Sequence, residues 1–169
     1  MEKRNKGFVL VFTGNGKGKT TAAVGCAVRM IKHGKRVGMV QFFKLPSKHI
    51  LPHSKFRVWS FGGGFTWSTA RTENAVSVQK AWAKCLELLR SPKYDMVIFD
   101  EINIAFHYKF LKIPEVVQAL KRRHPSQHVV LTGRGAPQAI QRFADLVTEM
   151  KCIKHPYDHG IPAQKGLEF

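Results

Sequence analysis

Gly18-Lys19-Thr20 closes the stretch FTGNGKGKTTAA, Phe12 to Ala23. Glycines followed by a lysine and a hydroxyl residue suit a phosphate-binding loop. Backbone N–H groups cradle the phosphates, the lysine pairs with their oxygens, and the hydroxyl holds Mg²⁺. The usual pattern, G-x-x-x-x-G-K-[ST], asks for a glycine five residues ahead of Gly18. Thr13 stands there instead, and Gly14 and Gly16 lie inside the loop. Lys19 and Thr20 are catalytic candidates. Thr13, Gly14, Asn15, Gly16, Lys17, Gly18, Lys19, Thr20 and Thr21 are candidate ATP contacts, with Arg29 further along the helix that follows. The competing reading is a Gly-rich turn with an incidental lysine.

A second constellation is YDMVIFDE, Tyr94 to Glu101: an apolar strand ending in two carboxylates. An acid at a strand end facing a phosphate loop is the Walker B pattern, so Thr20, Asp100 and Glu101 form a candidate metal set, with Glu101 also a catalytic candidate. Spacing alone does not say which carboxylate is nearer the ion, and capping of a following helix is the alternative. TGRG, Thr132 to Gly135, offers Arg134 to phosphates, or else an exposed loop arginine. GGGFTW, Gly62 to Trp67, places two aromatics in a loop where the backbone can approach a flat ligand, or where the rings only pack locally. His155 and His159 are four apart, but Pro156 disfavours a helix between them.

These residues need a scaffold. Short continuous apolar runs separated by helical stretches indicate a parallel sheet covered on both faces. Strands are expected at Phe8–Phe12, Arg36–Phe43, Phe56–Phe61, Met96–Asp100 and His128–Thr132, with a last one in DLVTEMKCI. Helices are expected from about Lys19 to His33, ended by Gly34, from about Glu73 to Arg90, from Pro114 to about Arg123, and after Pro137. The tail from Lys154 is expected to be irregular. The fold class is α/β, with three layers, a mostly parallel sheet with helices on both faces, in a RecA-like P-loop NTPase arrangement. One domain is expected over residues 1–169. In such sheets ligands bind at the carboxyl ends of strands, where the loop, QFFK, GGGFTW, DEIN and TGRG all fall.

The chain has 169 residues, 28 Lys and Arg, 11 Asp and Glu, and a net charge of +17. Such a surface favours anions, so non-specific polyanion binding is expected, and a nucleic-acid ATPase or binding module is the alternative function. No apolar run is long enough to span a membrane, and FVLVF is too short for a signal segment, so a cytoplasmic protein is expected. Three scattered cysteines, Cys26, Cys85 and Cys152, suggest neither disulfides nor zinc, and each is expected to be small, buried and reduced.

Taken together, FTGNGKGKTTAA, HGKRVGMVQFFK, GFTW, YDMVIFDEIN, VVLTGRGAP, ADLVTEM and KHPYDHGIPAQKGLEF resemble the P-loop family of cob(I)alamin (corrinoid) adenosyltransferases. The resemblance runs in order from about residue 8 to the end. It implies an enzyme that takes ATP, Mg²⁺ and a reduced corrinoid and makes adenosylcobalamin. It implies that ATP lies reversed along the loop, with the ribose 5′ carbon facing the second substrate and Asn15 close to the ribose. Cobalt(I) then attacks that carbon and expels triphosphate, whose growing charge the loop amides, Lys19 and Mg²⁺ stabilise. It further implies that Phe65 and Trp67 bind the corrinoid, crowding its lower face and excluding the axial ligand. A homodimer and a flavodoxin- or flavin-type electron donor are expected on the same ground.

The sequence departs from the family pattern in three places. Only about seven residues precede the first strand, where some members carry an extension. LPSKHILPHSK is basic where a Gly-rich acidic stretch is usual. Gly63-Gly64 stands where several members have an acid before the GF pair.

Overall fold

The computed structural model describes residues 6–45, 50–63 and 70–167. Among these residues, six strands form one sheet: β1 (Val9–Thr13), β2 (Val37–Phe42), β3 (Phe56–Phe61), β4 (Met96–Asp100), β5 (His128–Thr132) and β6 (Leu146–Glu149). Their order is β3-β2-β4-β5-β1-β6, and every pairing among the described residues is parallel. Among the described residues, five α-helices accompany them: α1 (Lys19–Lys32), α2 (Arg71–Arg90), α3 (Ile102–His107), α4 (Ile113–Lys121) and α5 (Gln138–Phe143).

The layers follow from the two-residue period of the strands. Val97 and Phe99 of β4, Val129 and Leu131 of β5, and Val40 and Phe42 of β2 point to one face, where α2, α3, α4 and α5 pack. Met96 and Ile98, Val130, and Val37 and Met39 point to the other, against Ala23 and Ala27 of α1. The central strands are buried on both sides, which is why they read as unbroken apolar runs. β1 leads directly into the Gly-rich loop and α1. β4 lies between β2 and β5, so the ends of all three strands meet beside that loop.

Four expectations need correction. β6 covers only Leu146–Glu149, because Met150 turns off the sheet to meet the loop: its N–H donates to Thr13 O at 2.8 Å and its carbonyl accepts from Gly16 N at 2.7 Å. α3 lies outside the expected helices: six residues are too few to display a helical period, yet Ile102, Asn103, Ala105 and Phe106 are buried. The tail holds a 3₁₀ turn at Pro156–His159, in which His155 Nδ1 accepts from Tyr157 N. Cys85 is buried, but Cys26 is only half-buried and Cys152 is exposed. Burial holds the Cys85 thiol well above its ordinary pKa and also raises that of Cys26.

Candidate active site

The glycines of the loop sit where a side chain has no room. Gly14 has φ of 93°, and a Cβ there would run into the Met150 carbonyl and the Glu149 side chain. Gly16 has Lys151 O at 2.7 Å from the place of its missing Cβ. Gly18 caps α1 with φ of 108°. Thr13 has a different task. Its hydroxyl accepts from Ala136 N at 3.0 Å, joining the loop to the chain just past TGRG. A glycine could not make that bond, which gives the threonine at the usual glycine position a structural reason. The sharp backbone turn moves one residue on, to Gly14.

Lys19 opens α1 and is buried, and its Nζ donates to Gly16 O at 2.6 Å. Burial lowers its pKa. The Glu101 carboxylate opposes that shift and the Arg134 guanidinium adds to it. An ammonium partly stripped of water and aimed across a ring of backbone amides is well placed for a phosphate oxygen. No side chain caps the start of α1, so its first amides remain available to an anion.

Asp100 is the hub of the second half of the site. It has no exposed surface, and four donors surround its carboxylate. Thr20 Oγ1 and Thr132 Oγ1 each donate to Oδ1 at 2.7 Å. Gln41 Nε2 at 3.0 Å and Lys44 Nζ at 2.6 Å donate to Oδ2. Ser60 Oγ in turn donates to Gln41 Oε1 at 2.9 Å, which fixes the amide. Burial alone would raise the Asp100 pKa. The Lys44 charge and the bonds from Lys44, Thr20 and Gln41 outweigh it and hold the carboxyl below its ordinary value.

Glu101 follows with φ of 66°, left-handed backbone that a residue other than glycine rarely adopts. Its N–H donates to Thr132 Oγ1 at 2.9 Å, so one threonine hydroxyl serves both acids. Burial, and then the neighbouring Asp100 charge, raises the Glu101 pKa. Strain of this kind gathers at functional sites. Gly133 lies over the pair: a Cβ on it would be 3.0 Å from Asn103 Cβ and 3.2 Å from Glu101 Oε2. The buried Asn103 amide donates to Gly133 O at 2.9 Å and anchors TGRG above the acids.

Thr13, Gly14, Asn15, Gly16, Lys17, Gly18, Lys19 and Thr20 therefore lie around one loop, with Asp100 and Glu101 beside it. A cavity of about 580 Å³ adjoins that loop, and Asn15, Lys17, Lys19 and Arg134 line it together with Tyr157 and Asp158 of the tail. Thr21 is exposed on the first turn of α1. Arg29 is not brought to the site. It lies in the last turn of α1, ten residues beyond Lys19, and that is about 15 Å of helix rise. Phe65 and Trp67 lie outside the described residues.

Sequence reasoning missed Lys44, Gln41 and Thr132 as partners of Asp100, and Ser60 as the partner that fixes Gln41. The signal was faint but present: each stands on or just past a strand near β4, and QFFK carries a polar residue inside an apolar strand. Their pairing is set by register across the sheet, where Gln41 lies opposite Asp100, and local spacing does not show that.

Hard oxygen donors gathered next to a phosphate loop suit a small divalent cation. Thr20 Oγ1 is within hydrogen-bond distance of Asp100 Oδ1, and the Lys44 ammonium already stands as a cation on Thr20 Oγ1 and the other carboxylate oxygen, Oδ2. The remaining ligands of Mg²⁺ would be phosphate oxygens and water. No group of three or more His, Cys, Asp or Glu side chains able to hold a metal occurs among the described residues.

Comparison with known proteins identifies the family. The chain is 45% identical over 175 residues to a corrinoid adenosyltransferase of Sinorhizobium sp, covering 97% of this chain and 81% of the relative. It is 42% identical over 171 residues to the corrinoid adenosyltransferase of Escherichia coli (strain K12), covering 97% and 86%. A corrinoid adenosyltransferase of Pseudomonas aeruginosa is 39% identical over 173 residues, covering 97% and 84%. The family model described as ATP:corrinoid adenosyltransferase BtuR/CobO/CobP matches residues 5–169, and the chain belongs to that family.

Proposed function

We propose that the protein transfers the 5′-deoxyadenosyl group of ATP to the cobalt(I) of a corrinoid, cobalamin or cobyrinic acid a,c-diamide, and releases triphosphate. The observation that carries this reading is a phosphate loop joined to a buried strand-end acid inside a family match that covers residues 5–169. In the reaction the cobalt lone pair forms the Co–C bond to the 5′ carbon. The C–O bond breaks, and its electron pair leaves with the triphosphate. No proton has to be removed, so no general base is required.

The work of the chain is then placement and charge. The loop amides and Lys19 hold the triphosphate and stabilise the charge it gains as a leaving group. Thr20 and Asp100 hold Mg²⁺, with Glu101 beside them, and the bound ion supplies further neutralisation of the phosphates. Arg134, exposed and lining the same cavity, pairs with the anion. Asn15 faces the ribose in that cavity, and the adenosyl end lies there rather than along α1. Phe65 and Trp67 take the lower face of the corrin. Arg29 does not join the site, given its position at the far end of α1.

Two copies form the working unit, and a flavodoxin- or flavin-type donor supplies the electron that makes cobalt(I). The protein works in the cytoplasm. No helix among the described residues is long and apolar enough to cross a membrane. The charge of +17 supports a further, non-specific affinity for polyanions.

Anaerobic mixing of a cobalt(I) corrinoid with ATP, Mg²⁺ and the protein tests the reading. The cobalt(I) absorption should be replaced by that of a light-sensitive alkyl corrinoid. Persistence of the cobalt(I) spectrum with active reagents would count against it.

A further inference from the structure

Lys44 stands where a metal ion would stand. It follows Phe43, whose φ of 58° is left-handed. The Phe43 ring packs against Phe42 and Phe110, at centroid distances of 6.5 and 6.2 Å. Gly62 fits against its backbone so closely that a Cβ there would lie 2.6 Å from Phe43 Cα. This held turn carries the chain over the end of β2 and sends the Lys44 side chain back toward β4. There Nζ lies 2.6 Å from Asp100 Oδ2 and 3.3 Å from Thr20 Oγ1, while Thr20 Oγ1 lies 2.7 Å from Asp100 Oδ1. Ammonium, hydroxyl and carboxylate close a triangle.

Thr20 and Asp100, the two oxygen-bearing side chains of that triangle, are the ones the proposed function gives to Mg²⁺, and Lys44 occupies Thr20 Oγ1 and Asp100 Oδ2. An Mg–O bond of about 2.1 Å leaves no space for an ammonium on the same oxygens, and two cations so close would repel. The burial of the partners differs in a way that permits exchange. The Asp100 side chain is 0% exposed, whereas that of Lys44 is 36% exposed and can withdraw into water. A buried carboxylate left without a positive partner is costly, so some cation must attend it in the ligand-free protein. Gln41 donates to Oδ2 and Thr132 to Oδ1, so each carboxylate oxygen keeps a protein donor when Lys44 withdraws.

We propose that the Lys44 ammonium is a displaceable stand-in for the divalent cation. It keeps Thr20 and Asp100 in place while the site is empty, excludes free metal, and yields when metal arrives together with nucleotide. The metal then enters as its ATP complex, because the triphosphate brings the extra charge and oxygens needed to displace a lysine. The inference rests on the metal role given to Thr20 and Asp100 above. It adds that Lys44 is a positioning residue for that metal and sets the order in which metal and nucleotide bind.

Mn²⁺ binding without nucleotide, read by electron paramagnetic resonance, tests it. Lys44→Met should bind Mn²⁺ at least ten times more tightly than the wild type, since a cation has been removed and both oxygens remain. Lys44→Arg should stay as weak as the wild type, and Lys44→Met with Asp100→Asn should lose the gain. Equal affinity of wild type and Lys44→Met, abolished in both by Asp100→Asn, would overturn the stand-in while leaving the metal site intact. Absence of Mn²⁺ binding in every protein, with or without ATP, would overturn the metal role and the inference together. Should Lys44→Met not fold, a wild-type crystal structure with Mg²⁺ and ATP decides. Lys44 Nζ must then lie beyond hydrogen-bond reach of Asp100 Oδ2, and retention of the bond refutes the exchange.

Discussion

Replacing Thr132 by valine keeps the shape of a fully buried side chain and removes one hydroxyl. That hydroxyl makes two bonds: it donates to Asp100 Oδ1 at 2.7 Å and accepts from Glu101 N at 2.9 Å. The first is a bond to a charged group, worth about 1.5–3 kcal/mol, and losing the second strands a backbone N–H at a cost of about 1–3 kcal/mol. Thr20 continues to donate to the same Asp100 oxygen, and Glu101 is half-buried, so both losses are partly relieved. A net loss of about 2–4 kcal/mol is expected. For a chain of this size that lowers Tm by roughly 4–16 °C. The assay is urea unfolding of the ligand-free protein at pH 7, with thermal melting as a second reading. Thr132→Ser, which keeps the hydroxyl and loses a methyl, should cost about 1 kcal/mol. A valine variant within about 0.5 kcal/mol of wild type, a difference usual for surface changes, would refute the network as described. So would serine and valine variants of equal stability.

Other outcomes follow from the same site. Lys19→Ala should lose ATP binding and turnover, with at least the roughly 1.5–3 kcal/mol of a charge-assisted phosphate contact gone; near-normal turnover would remove Lys19 from the phosphate site. Glu101→Gln should raise the Tm of the ligand-free protein at pH 7 yet weaken its stabilisation by ATP with Mg²⁺. The sign follows from a folded-state pKa above the unfolded one: the folded chain holds the proton longer, so ionised Glu101 costs stability once pH passes the unfolded value, and the amide avoids that cost. An unchanged or lower Tm contradicts this. Phe65→Ala and Trp67→Ala should lose activity when cobalt(II) must be reduced on the protein and keep much of it when cobalt(I) is supplied; equal losses in both assays would limit them to packing. Any nucleic-acid binding should collapse between low and moderate salt, as counterion release requires, and tight sequence-selective binding at high salt would favour the nucleic-acid reading.

The architecture was legible because its central strands are buried on both faces and so spell continuous runs such as MVIFD and VLVF, each ending at a chemically loaded turn. The loop and the strand-end acids were legible for the same reason: sequence neighbours carry that chemistry. What escaped detection depends on distance along the chain. Lys44 meets Asp100 across 56 residues, and Thr132 meets it across 32, through the register of β2, β4 and β5. α3 escaped because one and a half turns show no period. Arg29 lies near the loop in sequence but ten residues along α1 from Lys19, because a helix carries it away along its axis.

The central claim is that the loop presents the ribose 5′ carbon, not the γ-phosphorus, to the second substrate. Phosphorus NMR of the products formed from ATP, Mg²⁺ and a cobalt(I) corrinoid tests it most directly. The account predicts intact triphosphate, in step with the adenosylated corrinoid, and none when the reduced corrinoid is left out. ADP and inorganic phosphate, with or without the corrinoid, would contradict it.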